Sequence, residues 1–548
     1  MILLLRKLSF IIICCLLLAV TTFAQIFSTG KSLTLPDTLR GSVTPARCWW
    51  DVRKYEVSVE PDYSTRIIRG SNIITCEAVA EGRKMQIDLQ QPMNITRIIY
   101  KSTTLKTTRT GNAYWVYLPE KIKKATLFSL EINFEGKPHE AINPPWDGGW
   151  IWKKDAGGAP WVSVACQGLG ASVWYPCKDY QGDEPDSATL HITVPDSLTG
   201  IGNGRLRSLI KNNNGTSTYT WAVINPINNY NIIPYIGRYV HWSETYAGEQ
   251  GNLDLDYWVL RGNEAKAKKQ FLQVPLMLRC FEYWFGPYPF YEDGYKLIEA
   301  PHLGMEHQSA VAYGNKFENG YLGKDLSETG WGLKWDFIIV HESGHEWFGN
   351  NITTKDIADM WVHEGLTSYS ETLFTQCQSG KDAGNAYCIG TRKGIQNDVP
   401  IIGRYGVNKE GSVDMYDKGS SIIHMIRQLI NNDEKFREIL RGLNKTFYHQ
   451  TVTTRQVEDY FSLQSGIDLH LFFDQYLRTT QIPAFEYKYN NGTLSYRWAD
   501  CLPGFNMPLK IMAGKEIWIS PTGEWQTISV ESADFSIDRN FYVHSRKM

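Results

Sequence analysis

The spacing of apolar residues changes twice along this chain, and those changes limit its architecture more than any other feature. From about Trp49 to Val240, apolar side chains recur at every second position. Examples are Tyr55, Val57 and Val59, then Met85, Ile87 and Leu89, then Leu130, Ile132 and Phe134, then Leu190, Ile192 and Val194. Successive strand side chains point to opposite faces, so the pattern predicts an antiparallel β domain. Beyond Glu264 the interval becomes three and four. Residues 270–285 carry Phe271, Val274, Met277, Phe281 and Trp284 at helical spacing, with Pro275 implying a kink or a late start. Helical spacing continues over 334–350, 361–378, 418–431, 434–443 and 469–477. After Pro483 short alternating segments return, with a turn at Asn490-Asn491-Gly492. The Trp-rich stretch 143–161 reads as an ordered loop, because Pro144-Pro145 and Gly148-Gly149 interrupt it. The expected fold is multidomain α+β. An N-terminal β domain spans 25–244, a mostly helical domain 245–485 and a small C-terminal β domain 486–548, with 1–24 set aside as a leader.

That leader is the short basic MILLLRK, then an apolar run ending in Thr22-Phe23-Ala24. This is the pattern of a secretory signal peptide cut after Ala24, and the run is short for a membrane span. The expected location is therefore outside the cytoplasm, periplasmic or extracellular, with no stable transmembrane segment after cleavage. Net charge is −2, which lacks the basic field that sequence-independent nucleic-acid binding needs, so no nucleic-acid partner is expected. Two of the ten cysteines, Cys14 and Cys15, fall in the leader. The rest contain no CxxC pair, and an export compartment permits disulfides. Cys166 with Cys177 and Cys377 with Cys388 are the closest in sequence. One bridge is expected, but its pairing is not assigned.

The chemistry concentrates at His341-Glu342-Ser343-Gly344-His345. On a helix, histidines four apart leave the same face one turn apart, so both can reach one metal ion, while Glu342 lies beside it as a base. A catalytic zinc needs a third protein ligand and an open fourth position. Glu364 follows His345 with 18 residues between them, enough for a loop and the start of a crossing helix. His341, His345 and Glu364 then form a site for one Zn²⁺ per chain. Glu371, seven residues further on, shares that helical face and can orient a ligand histidine from behind. His363 is a rival ligand, turned about 100° from Glu364 on a helix.

HESGHEWFGN and WVHEG together resemble the zinc aminopeptidase N family, whose pattern is HExxH, 18 residues, then Glu. Leu303-Gly304-Met305-Glu306-His307 resembles that family's GxMEN peptide-binding strand, and Met415-Tyr416-Asp417-Lys418-Gly419 resembles its YxKG segment. Gln167, in ACQGLGASVWYPCKD, resembles a substrate-lining glutamine. The resemblance implies a thermolysin-like zinc domain and a small C-terminal β-sandwich. Only 63 residues follow Phe485, too few for the C-terminal helical solenoid of many relatives. It implies an aminopeptidase acting on peptides with free N-termini. Glu342 would be the general base and Tyr416 the oxyanion donor. Glu306 would bind the α-ammonium on an edge strand with Gly304 and Met305, and Gln167 would line the substrate. Departures stand at Leu303, His307, Glu346 and His363, and none of them removes a ligand or the base. Two rival functions share parts of the site: a thermolysin-like endopeptidase, and a non-catalytic peptide-binding protein on a peptidase scaffold. The sequence does not determine the oligomeric state or the preferred first residue.

Overall fold

The computed structural model describes residues 33–531 and 534–548. The leader 1–24 lies outside the described residues. The N-terminal region is built on an eight-stranded sheet. At its centre Trp50–Asp62 pairs antiparallel with Ile67–Ala78 and parallel with Ser187–Pro195. The alternation that predicted strands is the alternation of burial: Tyr55, Val57 and Val59 are buried, as are Leu130, Ile132 and Phe134. Gly82–Asp88, Thr107–Thr110 and Ala113–Ile122 form a second, three-stranded sheet.

The expected loop at 143–161 is a correction. Gly149–Lys154 is a strand paired antiparallel with Pro160–Ala165, in a four-stranded sheet with Thr199–Ile201 and Tyr235–Gly237. Trp150 is fully buried there, edge-on to Trp174 at 5.9 Å between ring centroids. Gly148 and Gly149 both have positive φ, so they turn the chain into the strand instead of marking a loop.

A mixed five-stranded sheet opens the next unit. The hairpin Tyr239–Gly248 and Gly251–Leu260 continues through Tyr295–Glu299 and Val311–Tyr313 to the two-residue edge strand Gly304–Met305. The expected boundary between 244 and 245 falls inside that hairpin. Helices follow the sheet. Pro275 sits in the first turn of Gln273–Phe285, where its missing N–H costs nothing, and Glu264–Gln270 is a separate short helix. Lys381–Thr391 and Thr454–Ser465 are two helices the periodicity did not reveal.

The helix expected over 334–350 is shorter. Asp336 accepts hydrogen bonds from Ile338 N and Ile339 N, so the α-helix begins at Phe337, and it ends at Gly344. The chain then turns through 345–349, where Gly349 has a φ of 125°. Cys280 and Cys377 are disulfide-bonded and tie Gln273–Phe285 to Trp361–Ser379. Neither pair that was close in sequence is bridged. Cys166, Cys177 and Cys388 are buried free thiols.

After residue 483 the chain forms two small sheets. One orders Gln526–Ser529, Thr493–Ala499, Ala484–Asn490 and His544–Lys547, and the other Glu516–Ile519, Leu509–Met512 and Ser536–Ile537. Asn491 and Gly492 both take positive φ, as a two-residue hairpin turn requires. Phe505 packs on Trp498 at 5.7 Å and on Tyr476 at 6.5 Å, which joins this region to the last helix without a break in the core.

Candidate metal centre and active site

Two helices cross to make the centre. Phe337–Gly344 carries His341 and Glu342, with His345 at its C-terminal cap, and Trp361–Ser379 carries Glu364 in its first turn. The crossing is close because Gly344 has no side chain: a Cβ there would lie 2.6 Å from Ser370 Oγ. His341 Nε2 stands 3.6 Å from Glu364 Oε2, and His345 Nε2 stands 3.3 Å from the same oxygen. One ligand atom from each of the three residues lies within 4.8 Å of the others, and all three side chains are buried.

The opposite ring nitrogens are already engaged. His341 Nδ1 faces Glu371 Oε1 at 2.7 Å, and His345 Nδ1 donates to the Phe348 carbonyl at 2.9 Å. Those bonds put the protons on Nδ1 and leave the Nε2 lone pairs directed at Glu364. Glu364 Oε2 is buried without a hydrogen-bond partner. Burial raises the Glu364 carboxyl, but His345 and His341, when protonated in the absence of a metal, more than offset this and hold it well below the usual carboxylate range. Two imidazole lone pairs and an ionised carboxylate converging in a buried place fit a divalent cation, and this donor set is that of a zinc site with an open position.

Glu371 is held in turn. Its second oxygen accepts from the Tyr387 hydroxyl at 2.6 Å. His363 is not a ligand in this arrangement: its Nε2 accepts from Thr354 N at 2.8 Å. Burial pushes the His363 imidazole down to about 3, so it stays neutral.

Around the metal ligands lie the other expected residues. Glu342 is buried, and burial pushes its carboxyl up to about 7 although His341 and His345 oppose the rise. It packs against Gly304, where a Cβ would meet Glu342 Oε1 at 2.6 Å and Cγ at 3.0 Å. Gly304→Ala is therefore expected to displace the Glu342 carboxylate. Turnover should fall by about 10²-fold, the scale of a misplacement near 1 Å, while zinc content stays at one per chain. Full activity in that variant would show that the close packing does not position Glu342.

Met305 completes the edge strand, antiparallel to Val311–Tyr313. Glu306 follows it, 3% exposed, and accepts a hydrogen bond from the Tyr230 hydroxyl at 2.9 Å. Its backbone carbonyl accepts from Asn350 Nδ2 at 2.8 Å, which ties the strand to the residues just after the zinc helix. Tyr416 caps the helix Asp417–Ile430, and its ring lies alongside His341 at 6.1 Å and 28°. Burial raises its hydroxyl, and Glu364, Glu410, Glu306 and Glu342 raise it further, so it keeps its proton and remains a donor. Gln167 lines a cavity with Tyr230, and its Nε2 is buried without a partner.

Tyr230, Asn350, Tyr387 and Glu410 were not picked out from the sequence. Tyr230 sits in an Asn-rich loop that carries no motif. Asn350, by contrast, closes the HESGHEWFGN run and was within reach. Two departures are explained by burial. Glu346 Oε1 accepts from Ser309 N at 2.8 Å, and burial pushes its carboxyl up to about 8, so it stands as a neutral acid in place of an amide. His307 pairs with the Tyr235 hydroxyl.

Residues 282–476 match the peptidase family M1 domain. Leukotriene A-4 hydrolase of Xenopus laevis is 20% identical over 472 residues, covering 80% of this chain and 73% of its own. Aminopeptidase B of Rattus norvegicus is 20% identical over 446 residues, covering 76% of this chain, which spans only 62% of that protein. An M1 zinc metallopeptidase from Deinococcus radiodurans superposes with a TM-score of 0.68 at 21% identity, over 80% of this chain and 95% of its own. A mutant of that enzyme bound to a Tyr-Ser-Ala substrate gives 0.67 at 20% identity, over 79% and 95%. The matched stretch contains the crossed helices and their two histidines and glutamate, so it is the candidate metal centre that carries the likeness to the peptidase family M1 domain.

Proposed function

We propose that this protein is an aminopeptidase that hydrolyses the first peptide bond of substrates with a free N-terminus. The observation that carries this reading is Glu306: a buried carboxylate beside an edge strand, held by Tyr230, in the same cleft as the metal ligands. A buried anion there suits the substrate's α-ammonium and has no evident use in an endopeptidase. The free edge of Gly304–Met305 suits backbone pairing with the peptide, and Gln167 suits a polar contact to it. Relatives named aminopeptidase B and aminopeptidase N support the same substrate class.

His341, His345 and Glu364 would hold the zinc, which when bound supplies a Lewis acid that polarises a carbonyl and acidifies water. Glu342 takes the proton of the attacking water as oxygen bonds to the carbonyl carbon. Tyr416 donates a hydrogen bond to the oxyanion that forms. Glu342 then passes the proton to the departing nitrogen as the carbon–nitrogen bond breaks. Glu371 and Tyr387 keep His341 in the orientation this requires. Export through the 1–24 leader belongs to the same proposal. Among the described residues no helix is long and apolar enough to cross a membrane.

The test compares free and N-acetylated forms of one peptide. The free form should be cleaved and the capped form should resist, and Glu306→Ala should lose at least tenfold in kcat/KM on the free form. Equal cleavage of the two forms would favour the endopeptidase.

A further inference from the structure

A substrate anchored at Glu306 has its direction along the edge strand fixed. Its α-ammonium sits at Glu306, and Gly304 is the residue that packs on Glu342, where a Cβ would meet Oε1 at 2.6 Å. The bond to be cut therefore lies beside Gly304, and the rest of the peptide continues toward Leu303. Loop 314–324 begins at that end of the strand. Gly314 N donates to the Leu303 carbonyl at 2.7 Å. Gly314 also lies so close to the His302 carbonyl that no Cβ would fit.

The loop is firmly braced. Asn315, fully buried, donates through Nδ2 to the carbonyls of Glu318 at 2.7 Å and Gly320 at 2.8 Å, and its Oδ1 accepts from Leu322 N at 2.8 Å. Gly320 N donates to the Trp335 carbonyl at 2.7 Å, which ties the loop to the start of the zinc helix. Tyr321 and Lys324 exchange backbone hydrogen bonds of 2.8 and 3.0 Å across a two-residue turn. Leu322 and Gly323 take the positive φ such a turn requires. Tyr321 thus hangs from a fixed frame. Its ring stands edge-on to Phe337 with centroids 5.3 Å apart, and Phe337 stacks on His341 at 5.1 Å and 13°. Burial raises the Tyr321 hydroxyl and Glu342 raises it further, so the ring is within electrostatic reach of Glu342. Ile338, Ile339 and Val340 are buried, whereas Tyr321 and Phe337 are only half-buried. The loop's charged side chains, Lys316, Glu318 and Lys324, are exposed.

We propose that Tyr321 determines specificity for the substrate's second residue. Its ring, backed by Phe337, is the wall on which that residue's side chain packs, and it favours an aromatic or large apolar side chain there. The proposal rests on the aminopeptidase reading, which gives the substrate its direction. An aromatic side chain meets a ring already held in place, and the contact removes apolar surface from water on both partners. A small polar side chain gains neither and leaves the two rings wet.

The experiment measures release of the first residue from Ala-Phe-Gly-Gly, Ala-Ser-Gly-Gly and Leu-Phe-Gly-Gly by the full chain with zinc and by its Tyr321→Ala and Tyr321→Phe variants. Wild-type kcat/KM should be about tenfold higher with Phe than with Ser in second place. Tyr321→Ala should bring that ratio close to one, and Tyr321→Phe, which keeps the ring, should retain it. The ratio of Leu to Ala in first place should not follow. Binding of the two Ala peptides to Glu342→Gln should show the same order, and adding Tyr321→Ala should abolish it. No preference in the wild type, a result that needs no variant to fold, overturns the Tyr321 proposal alone. So does equal binding of the two Ala peptides, a ratio unchanged in Tyr321→Ala, or a first-place ratio that shifts as far as the second. Wild-type enzyme that releases no first residue from any of the three peptides overturns the aminopeptidase reading and this proposal with it.

Discussion

Glu342→Gln is expected to bind zinc at one ion per chain and to lose about 10²–10⁴-fold in kcat, the usual worth of a general base. The two halves of that result follow from separate features. The ligand atoms come from His341, His345 and Glu364, and their orientation is held by Glu371, Tyr387 and the Phe348 carbonyl. Glu342 takes no part in that network, so replacing its carboxylate by an isosteric amide leaves the metal ligands as they are. The amide cannot accept the proton. Metal analysis on the purified variant, beside single-turnover kinetics, checks both halves. Glu364→Ala is the contrasting variant. It removes a ligand and leaves two imidazole lone pairs without their anion, so metal should be lost along with turnover. Near-wild-type kcat in Glu342→Gln, or loss of its zinc, would contradict the assignment of Glu342 as base.

Tyr416→Phe is expected to lower kcat by about 10²–10³-fold with little change in KM. Phe keeps the ring that lies against His341 at 6.1 Å, so the packing of the ligand is preserved and only the hydroxyl is removed. That hydroxyl stands among buried carboxylates that hold its proton on, which keeps it a donor throughout the reaction. A donor aimed at charge that develops only in the transition state contributes little to substrate binding. A rise confined to KM would mean that Tyr416 shapes the pocket and does not stabilise the oxyanion.

Several elements were legible because they depend on local periodicity. Val57 and Val59 are buried for the reason the alternation implied, and the Asn491-Gly492 turn has the positive φ its residues favour. Other elements were hidden where local signals conflict. The strand Gly149–Lys154 is flanked by the Gly and Pro that usually mark a loop, and only the pairing with Pro160–Ala165 makes it a strand. The zinc helix stops at Gly344, short of the apolar run through Trp347 and Phe348, because those side chains are buried after a turn instead of along a helix face.

The sequence by itself set His341 and His345 on one face, because residues four apart on a helix leave it one turn apart, whereas Glu364 joins them only because a second helix crosses the first. Tertiary structure alone decided several of the contacts around them. Cys280 meets Cys377, although their sequence separation is 97, while Cys166 and Cys177 stay apart. Tyr230 reaches Glu306 across 76 positions, and Arg40 reaches Gly168 across 128. No periodicity connects residues at such distances. Which of them meet is set by how the sheets and helices stack, and that depends on the burial of whole faces at once.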